Sequence, residues 1–375
     1  MSLSRRKMLA FVGGGTILAA SAGAAGFVAT RTPRDALAPW DLAGGYEDPR
    51  KNALSFALLA PNPHNRQPWL VELVGEDRLI LTRDPARDLP VTDPFGRQLT
   101  IGMGCFIELM ELAAAEAGYG VETMLFPEGE ADGAPVAACR FVEGAGVPDP
   151  LFAHVMNRRS HKEAFEPRAV SAAAAEPLAP YAEVVVDGPR NDRLRTLTHD
   201  AWMTEAATPA AWQESIDLLR IGKAEINAQP DGIDAGGPML ETLALFGLFT
   251  REAASDPTNP GTRGAIEETQ NAILGAPAFT VSRTPGNARR DQIAAGRTWL
   301  RLNLAATGAG LALRPVSQGL QEYPEMAEIY AAIHAEFAAA GETVQMLGLL
   351  GYAPQTPRTP RWPLDAKLVN ARQSA

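Results

Sequence analysis

Two segments of this chain carry the same helical pattern, and this repetition limits the possible folds more than any other feature. Apolar residues recur at helical spacing over residues 97–118, and a second long helix is predicted over residues 292–311. Compared without gaps, at the offset of 192 residues that places Ile101 opposite Ile293, the first segment matches the second at Ile101, Gly104, Leu112, Ala113, Ala114, Ala117 and Gly118. The match indicates an internal duplication, for which 375 residues suffice.

Strand and turn signals divide the chain into two α+β halves. Short strands are predicted in both halves, over residues 69–74, 78–83, 136–142, 181–186, 278–283 and 345–351. A Gly/Pro-rich connector separates the halves, which we place at residues 45–150 and 151–375. Residues 204–263 are rich in Gly, Pro and aromatic residues, and we interpret them as an insertion that is either a lid over a planar ligand or simple packing.

The first 32 residues have the composition of an export signal. Paired Arg5 and Arg6 precede a weakly hydrophobic, Gly/Ala-rich run from Phe11 to Ala29, and this order of basic, apolar and small residues is typical of a twin-arginine signal. An ordinary secretory signal or an uncleaved N-terminal anchor are the alternatives. Residues 1–32 therefore predict a periplasmic or cell-envelope location, and we expect no membrane span in the mature chain.

Charge and cysteine content exclude several kinds of site. The formal net charge of -10 argues against a nucleic-acid partner, because such proteins concentrate Lys and Arg on one face. Two cysteines, Cys105 and Cys139, form neither a disulfide framework nor a four-cysteine metal site, and the five histidines lack metal-ligand spacing. We expect no protein-bound metal, and we expect Cys105 to be a small buried hydrophobe.

A segment that we call the amide turn, Ala60–Trp69, lies between a predicted helix and a predicted strand. Its prolines favour a rigid extended turn, and Asn65 and Gln67 offer amide donors and acceptors that could meet the edge of a heterocycle. A capped loop with a buried Trp69 is the alternative interpretation.

A basic motif follows at Arg158–Lys162, where three cationic side chains and the Ser160 hydroxyl fall within five residues. Such a group at the end of a helix could clamp a phosphate or a delocalised anion, although a solvated basic turn has the same composition. After the second long helix, the turn through Gln318 and Gly319 can present free backbone N–H groups. Arg358 and Arg361 follow the last predicted strand. From their position alone, both are more simply interpreted as solvated residues of a tail than as ligands.

Together these segments resemble the nitroreductase family, and the order of the fused halves is most similar to its Acg-type branch. Asn62 stands where that family often has serine, and Gln318 where it commonly has glutamate. The resemblance implies an α+β, nitroreductase-like fold in which the two halves form a pseudo-dimer, each with a mixed antiparallel sheet packed with helices. It also implies one FMN per chain, because the amide turn occurs only in the first half and the basic motif only in the second.

By this resemblance the residues expected to bind FMN are Asn62, His64, Asn65, Gln67, Arg158, Arg159, Ser160, Lys162, Gln318, Gly319, Arg358 and Arg361. The catalytic role falls to Lys162, near the pyrimidine edge of the flavin, and to the backbone of Gln318 and Gly319 near its nitrogen 5. The implied activity is two-electron hydride transfer to or from a small organic substrate, such as a nitroaromatic or a quinone. NAD(P)H or another donor would supply the electrons, and the pseudo-dimer could act as a monomer. A flavin-sequestering protein with little turnover is the main alternative, and a flavin-free interaction scaffold is the other.

Overall fold

The computed structural model describes residues 30–369, so the predicted signal lies outside the described residues except for its last three positions. The helices are α1 (Arg34–Leu42), α2 (Pro49–Ala57), α3 (Arg97–Glu116), α4 (Ala172–Ala175), α5 (Gly188–Ala207), α6 (Pro209–Asp217), α7 (Gly222–Ala228), α8 (Pro238–Leu245), α9 (Arg251–Ser255), α10 (Pro260–Leu274), α11 (Arg289–Gly308) and α12 (Ala327–Phe337). The strands are β1 (Trp69–Val74), β2 (Arg78–Arg83), β3 (Tyr119–Leu125), β4 (Pro135–Glu143), β5 (Glu183–Val185), β6 (Leu219–Ile221), β7 (Ile233–Ala235), β8 (Ala278–Thr284), β9 (Ala312–Pro315), β10 (Thr343–Gly351) and β11 (Leu368–Val369).

The first sheet has the strand order β11-β1-β2-β4-β3. Strands β1 and β2 form an antiparallel hairpin in which Trp69 lies opposite Arg83, and Gly75 provides the positive φ of the turn. Strand β11, from the C-terminal end of the chain, pairs parallel with β1 and places Leu368 opposite Val71. The C-terminal tail therefore crosses from the second half to complete the sheet of the first.

The second sheet has the order β5-β8-β10-β9, with every pair antiparallel. Strand β10 is central and is buried along almost its whole length, which matches its nearly continuous apolar sequence. With one mixed sheet, one antiparallel sheet and helices packed on them, the fold is α+β. Residues 204–263, interpreted above as an insertion, form α6 to α9 and a small parallel sheet of β6 and β7.

The long helices α3 and α11 cross at a pair of glycines, Gly104 and Gly296. A Cβ atom added to Gly104 would overlap the carbonyl oxygen of Ile293, and one added to Gly296 would overlap the carbonyl oxygen of Ile101. These four residues are the ones that the offset of 192 places opposite each other, so the contact is reciprocal, as at a two-fold axis. The reciprocity supports the internal duplication, which we retain as a proposal.

Helix α3 is long and apolar enough to cross a membrane by length and composition, contrary to the expectation that no such stretch follows the signal. However, 89% of its most apolar window is buried inside the protein. Its Phe106 stacks on Trp69 of β1 with ring centroids 4.8 Å apart, which ties the helix to the first sheet. The apolar character of α3 therefore reflects a core position between the first sheet and helix α11.

Candidate functional site

Two adjoining hollows form a cleft where the amide turn meets the basic motif. The first, the arginine hollow, has a volume of about 160 Å³ and is lined by residues that include Trp40, Asn65, Arg158, Arg159, Lys162 and Arg361. The second, the glutamine hollow, has a volume of about 220 Å³ and is lined by residues that include Gln98, Cys105, Trp299, Ser317, Gln318 and Gln321. Both are lined by Pro61, Asn62, His64 and Ser160, so the two hollows adjoin each other.

The amide turn has a strained backbone. His64, Asn65 and Gln67 have φ angles of 48°, 51° and 50°, a left-handed conformation that residues other than glycine seldom adopt. The Asn62 side chain holds this shape, because its Oδ1 accepts a 2.7 Å hydrogen bond from the Gln67 N–H. Asn62, at the position where nitroreductases often have serine, therefore stabilises the conformation of the turn and also lines both hollows.

The amide side chains of the turn have partners within the protein. Asn65 lines the arginine hollow, and its Oδ1 accepts a 2.7 Å hydrogen bond from Arg361, so Asn65 orients that arginine. Gln67 is fully buried and lines neither hollow. Its Nε2 donates to the Pro230 carbonyl at 2.6 Å, and its Oε1 accepts from the Trp362 N–H at 2.9 Å. This corrects the expectation that Gln67 meets a heterocycle: its amide joins the turn to the insertion and the tail.

His64 lies where the two hollows meet. Its Nε2 is 3.2 Å from the Ser215 Oγ of α6, and its Nδ1 is buried without a partner. Burial lowers the pKa of His64, and the nearby Arg66 lowers it further against the opposing effect of Glu214. The ring is therefore neutral at physiological pH and has one free nitrogen for a ligand.

Three buried or partly buried arginines in the first hollow form no ion pair with a carboxylate within residues 30–369. Arg158 and Arg361 are each 3% exposed, and Arg159 is partly buried. One nitrogen of each guanidinium, Nη1 of Arg158 and Nε of Arg159 and Arg361, is buried with no hydrogen-bond partner. Burial lowers the pKa values of Arg158 and Arg159 to about 10 and that of Arg361 to about 9. Repulsion by a neighbouring arginine is a further cause in each case: Arg159 acts on Arg158, Arg358 acts on Arg159, and Arg158 acts on Arg361, where Asp234 opposes it. Such a cluster is costly unless an anion completes it.

Trp40 of α1 lines this hollow although it belongs to none of the sequence motifs. Its ring lies under Arg159 at 4.6 Å and beside Arg361 at 5.9 Å, so it offsets part of their repulsion through cation–π contacts. Arg358, also expected at the phosphate, bonds to Asp41 and lines neither hollow. This corrects the expectation for Arg358, because a carboxylate of α1 already pairs its charge.

Lys162 lies in the arginine hollow, and Gln318 lies in the other. The Lys162 Nζ is 2.5 Å from Asp234 of β7, so the insertion supplies a carboxylate at the edge of the cleft. Ser160 lines both hollows and stands between the arginines and the glutamines. The insertion therefore forms part of the cleft wall, through Gly232, Ile233 and Asp234.

Gln318 begins a 3-10 turn, Gln318–Leu320, whose first N–H groups have no partner within the turn. Gly319 is buried behind it, and a Cβ added there would lie 2.5 Å from Ile333 Cδ1. Gly319 lines neither hollow. Because it has no side chain, the turn can pack closely on α12. The strand β9, which precedes the turn, was not predicted and fixes it to the edge of the second sheet.

A buried carboxyl group lies behind the glutamine hollow. Glu205 of α5 is 4% exposed, and its Oε2 accepts a 2.7 Å hydrogen bond from Gln321. Burial raises the pKa of Glu205 to about 7, with Glu214 as a further raising cause and the Gln321 hydrogen bond opposing them. No sequence motif marks either residue, because they are 116 positions apart.

This pKa shift predicts a pH dependence of stability. A carboxyl group whose pKa is raised on folding stabilises the folded state below its unfolded pKa, here 4.5, and that contribution is lost as pH rises to about 7. We expect the free energy of unfolding of the wild type, relative to Glu205→Gln, to fall by on the order of 3 kcal/mol across this window. Urea unfolding at several pH values measures it. A pH-independent difference between the two proteins would show that Glu205 ionises normally.

Neither cysteine is a candidate nucleophile. Burial raises the pKa values of Cys105 and Cys139 to about 12, and the Cys105 Sγ donates to the Gly296 carbonyl at 3.1 Å. Cys105 is buried, as predicted, although it also lines the glutamine hollow. Within residues 30–369, no group of three or more His, Cys, Asp or Glu side chains could hold a metal ion.

Comparisons with known proteins point to one family. No protein-family model matches this chain. A Mycobacterium tuberculosis protein named "Putative NAD(P)H nitroreductase Rv3131" is 26% identical over 313 residues, 79% of this chain and 83% of that protein. The protein named "Putative NAD(P)H nitroreductase acg" from the same organism is 36% identical over 78 residues, 20% of this chain and 23% of its own length. The solved FMN-dependent nitroreductase NfnB of Mycobacterium smegmatis, in complex with NADPH, aligns at a TM-score of 0.36 and 19% identity, over 59% of this chain and 98% of that one, which is too weak to carry an argument. The first alignment spans most of both proteins and supports membership of this chain in the nitroreductase family.

Proposed function

We propose that this chain is an FMN-dependent oxidoreductase that holds one FMN in the cleft and transfers a hydride to or from a small organic substrate. The observation that carries the proposal is the group of two buried arginines and one partly buried arginine that have no carboxylate partner in the described part of the chain. The relatives named as NAD(P)H nitroreductases support the same chemistry. Because one chain supplies both walls of the cleft, it would act without a partner subunit.

The arginine hollow fits the phosphate of FMN. A phosphate accepts several hydrogen bonds and carries up to two negative charges, which would satisfy the free nitrogens of Arg158, Arg159 and Arg361 and offset their repulsion. Asn65 and Trp40 hold two of these side chains in place before the ligand arrives. Binding would therefore require little reorganisation of the hollow.

The glutamine hollow fits a flat ring with a polar edge. The indole of Trp299 supplies an apolar wall, and the amides of Gln98, Gln318 and Gln321 supply donors and acceptors. Ser160, between the hollows, is placed for the ribityl hydroxyls, and the free N–H groups of the Gln318 turn can orient a ring nitrogen. A flavin, when bound, accepts and returns a hydride at its ring, and the residues of this chain would bind and orient it.

Export remains part of the proposal, because the signal over residues 1–32 rests on sequence alone. The cleft combines α1, the amide turn, the basic motif, the insertion and the tail, so it is complete only when the whole chain has folded. A route that moves folded proteins would let the chain take up FMN before export. The physiological electron donor is then NAD(P)H or a donor present outside the cytoplasm.

Anaerobic reduction tests the proposed activity. Purified protein with bound FMN should lose its visible flavin absorption when NADPH is added, and the absorption should return when a nitroaromatic or a quinone follows. Turnover measured with both substrates would establish catalysis. A bound flavin that is reduced by neither NADPH nor any other biological electron donor would contradict the proposed enzymatic activity and favour sequestration. Protein that contains no flavin and binds none would contradict both.

A further inference from the structure

The side chain of Gln321 connects the glutamine hollow to the buried carboxyl group of Glu205. Gln321 is 3% exposed and lines the hollow, while its Nε2 donates to Glu205 at 2.7 Å. Its Oε1 is a buried acceptor without a hydrogen-bond partner. An unsatisfied amide oxygen at the wall of a ligand site indicates either that a ligand supplies the missing donor or that the amide can flip, which exchanges its oxygen and nitrogen.

The surroundings of Glu205 favour its neutral form. No Lys, Arg or His forms an ion pair with Glu205 in the part of the chain that the structure describes, and the facing groups are Gln321, Glu214 of α6 and the phenol of Tyr323. Glu214 adds a like charge, and the side chain of Tyr323 is buried beside Ala201 and Met326. Among the described residues, the Gln321 amide is the group that stabilises a negative charge on Glu205.

We propose that Glu205 is a positioning residue that decides which end of the Gln321 amide faces the cleft. When Glu205 is protonated, its O–H donates to Gln321 Oε1, and the amide NH2 turns toward the hollow as a donor. When Glu205 is ionised, it accepts from Nε2, and Oε1 faces the hollow as an acceptor. The proton is exchanged with solvent, and no covalent bond of the ligand changes. The inference rests on the proposed function, since it concerns the ring that the hollow would hold.

The two states should differ in their affinity for a ring with acceptor atoms at its edge. Flavin carbonyl oxygens and the oxygens of nitro groups and quinones accept hydrogen bonds, so they pair with the amide NH2 and oppose the amide oxygen. The protonated state of Glu205 would therefore favour binding. The pKa of Glu205, raised to about 7 by burial, places the change in the physiological range.

The dissociation constant of FMN, measured by flavin fluorescence on flavin-free protein at about pH 6 and about pH 8, tests the proposal. The ratio of the wild-type value to that of Glu205→Gln cancels the titration of the FMN phosphate, which both proteins share. We expect this ratio to rise roughly fivefold between the two pH values, the effect of one hydrogen bond. In a Gln321→Met background the rise should disappear, whereas Glu322→Gln, which lines neither hollow, should keep it. A ratio that does not change with pH would overturn the proposal.

Infrared spectroscopy of the flavin-free protein reads Glu205 independently of binding. We expect the wild type to show a carboxylic acid C=O band that is lost between about pH 6 and about pH 8. The band should be absent in Glu205→Gln. Absence of such a titrating band in the wild type would overturn the inference even if the protein bound no FMN. Protein that shows the band but takes up no flavin would instead contradict the proposed function.

Discussion

Replacement of Arg158 and Arg159 together by Met should raise the dissociation constant of FMN by roughly a thousandfold. Each charge-assisted hydrogen bond to a phosphate contributes about 2 kcal/mol, and every 1.4 kcal/mol is about a factor of ten in affinity. The flavin-free variant should remain folded, with a free energy of unfolding within about 1 kcal/mol of the wild type. This is expected because the change removes one buried and one partly buried cation, neither of which has a carboxylate partner in the described residues. Fluorescence titration and urea unfolding measure the two quantities.

Two controls make the arginine prediction specific for the phosphate. Arg358→Met removes a nearby arginine that pairs with Asp41 and lines neither hollow, so FMN affinity should change by less than about threefold. Riboflavin, which lacks the phosphate, should bind the wild type and the double variant with similar affinity. If Arg158→Met/Arg159→Met retained FMN at wild-type affinity, the phosphate would have to lie elsewhere.

Gly104→Ala should have the largest effect on stability, with a loss of roughly 3 kcal/mol or more. The added methyl group would meet the backbone of α11, and neither helix can yield locally because each is held by a sheet. Gly296→Ala should cost a similar amount, because the contact is reciprocal. Thermal and urea unfolding of the flavin-free proteins would measure both losses.

Gly264→Ala is the matched control for the helix crossing. Gly264 lies within α10, and a Cβ added there meets no atom within 4 Å. Alanine should therefore raise stability by up to about 1 kcal/mol through its better helix propensity. Wild-type stability in Gly104→Ala would mean that the two long helices do not touch at this pair, and the two-fold relation of the halves would lose its support.

Local patterns predicted the regular elements well where the period was clear. The bounds of β1 and β2 agree with the sequence prediction, because alternating apolar residues flank a turn at Gly75. Strand β3 was missed because most of its residues are only half-buried and show no alternation. Strand β11 was missed because two residues are too few for a pattern, and its pairing with β1 depends on a tail from the other half.

The site was predictable only where its residues share a motif. The amide turn and the basic motif do meet at one cleft, with Asn65 and Lys162 lining the same hollow. Trp40 and Asp234 could not be found from sequence, because they reach the cleft from an N-terminal helix and from the insertion. Gln67 lies in the turn but points away from the cleft, since the Pro230 carbonyl and the Trp362 N–H satisfy its amide.

Distant contacts also explain why the carboxyl group behind the cleft has no sequence signal. Glu205 lies at the end of a predicted helix that carries no functional motif. Its burial depends on segments more than a hundred residues away in the sequence. A glutamate in such a helix would ordinarily face solvent. Its unusual environment arises only in the folded chain, where the segment with Gln321 packs against it.

Titration of the flavin-free protein with FMN tests the single cleft most directly. With protein well above the dissociation constant, flavin fluorescence should stay quenched until one FMN has been added per chain and then rise linearly. The same titration of Arg158→Met/Arg159→Met should show no quenched phase. A wild-type break at two FMN per chain, or no quenching at all, would contradict a single flavin bound between the amide turn and the basic motif.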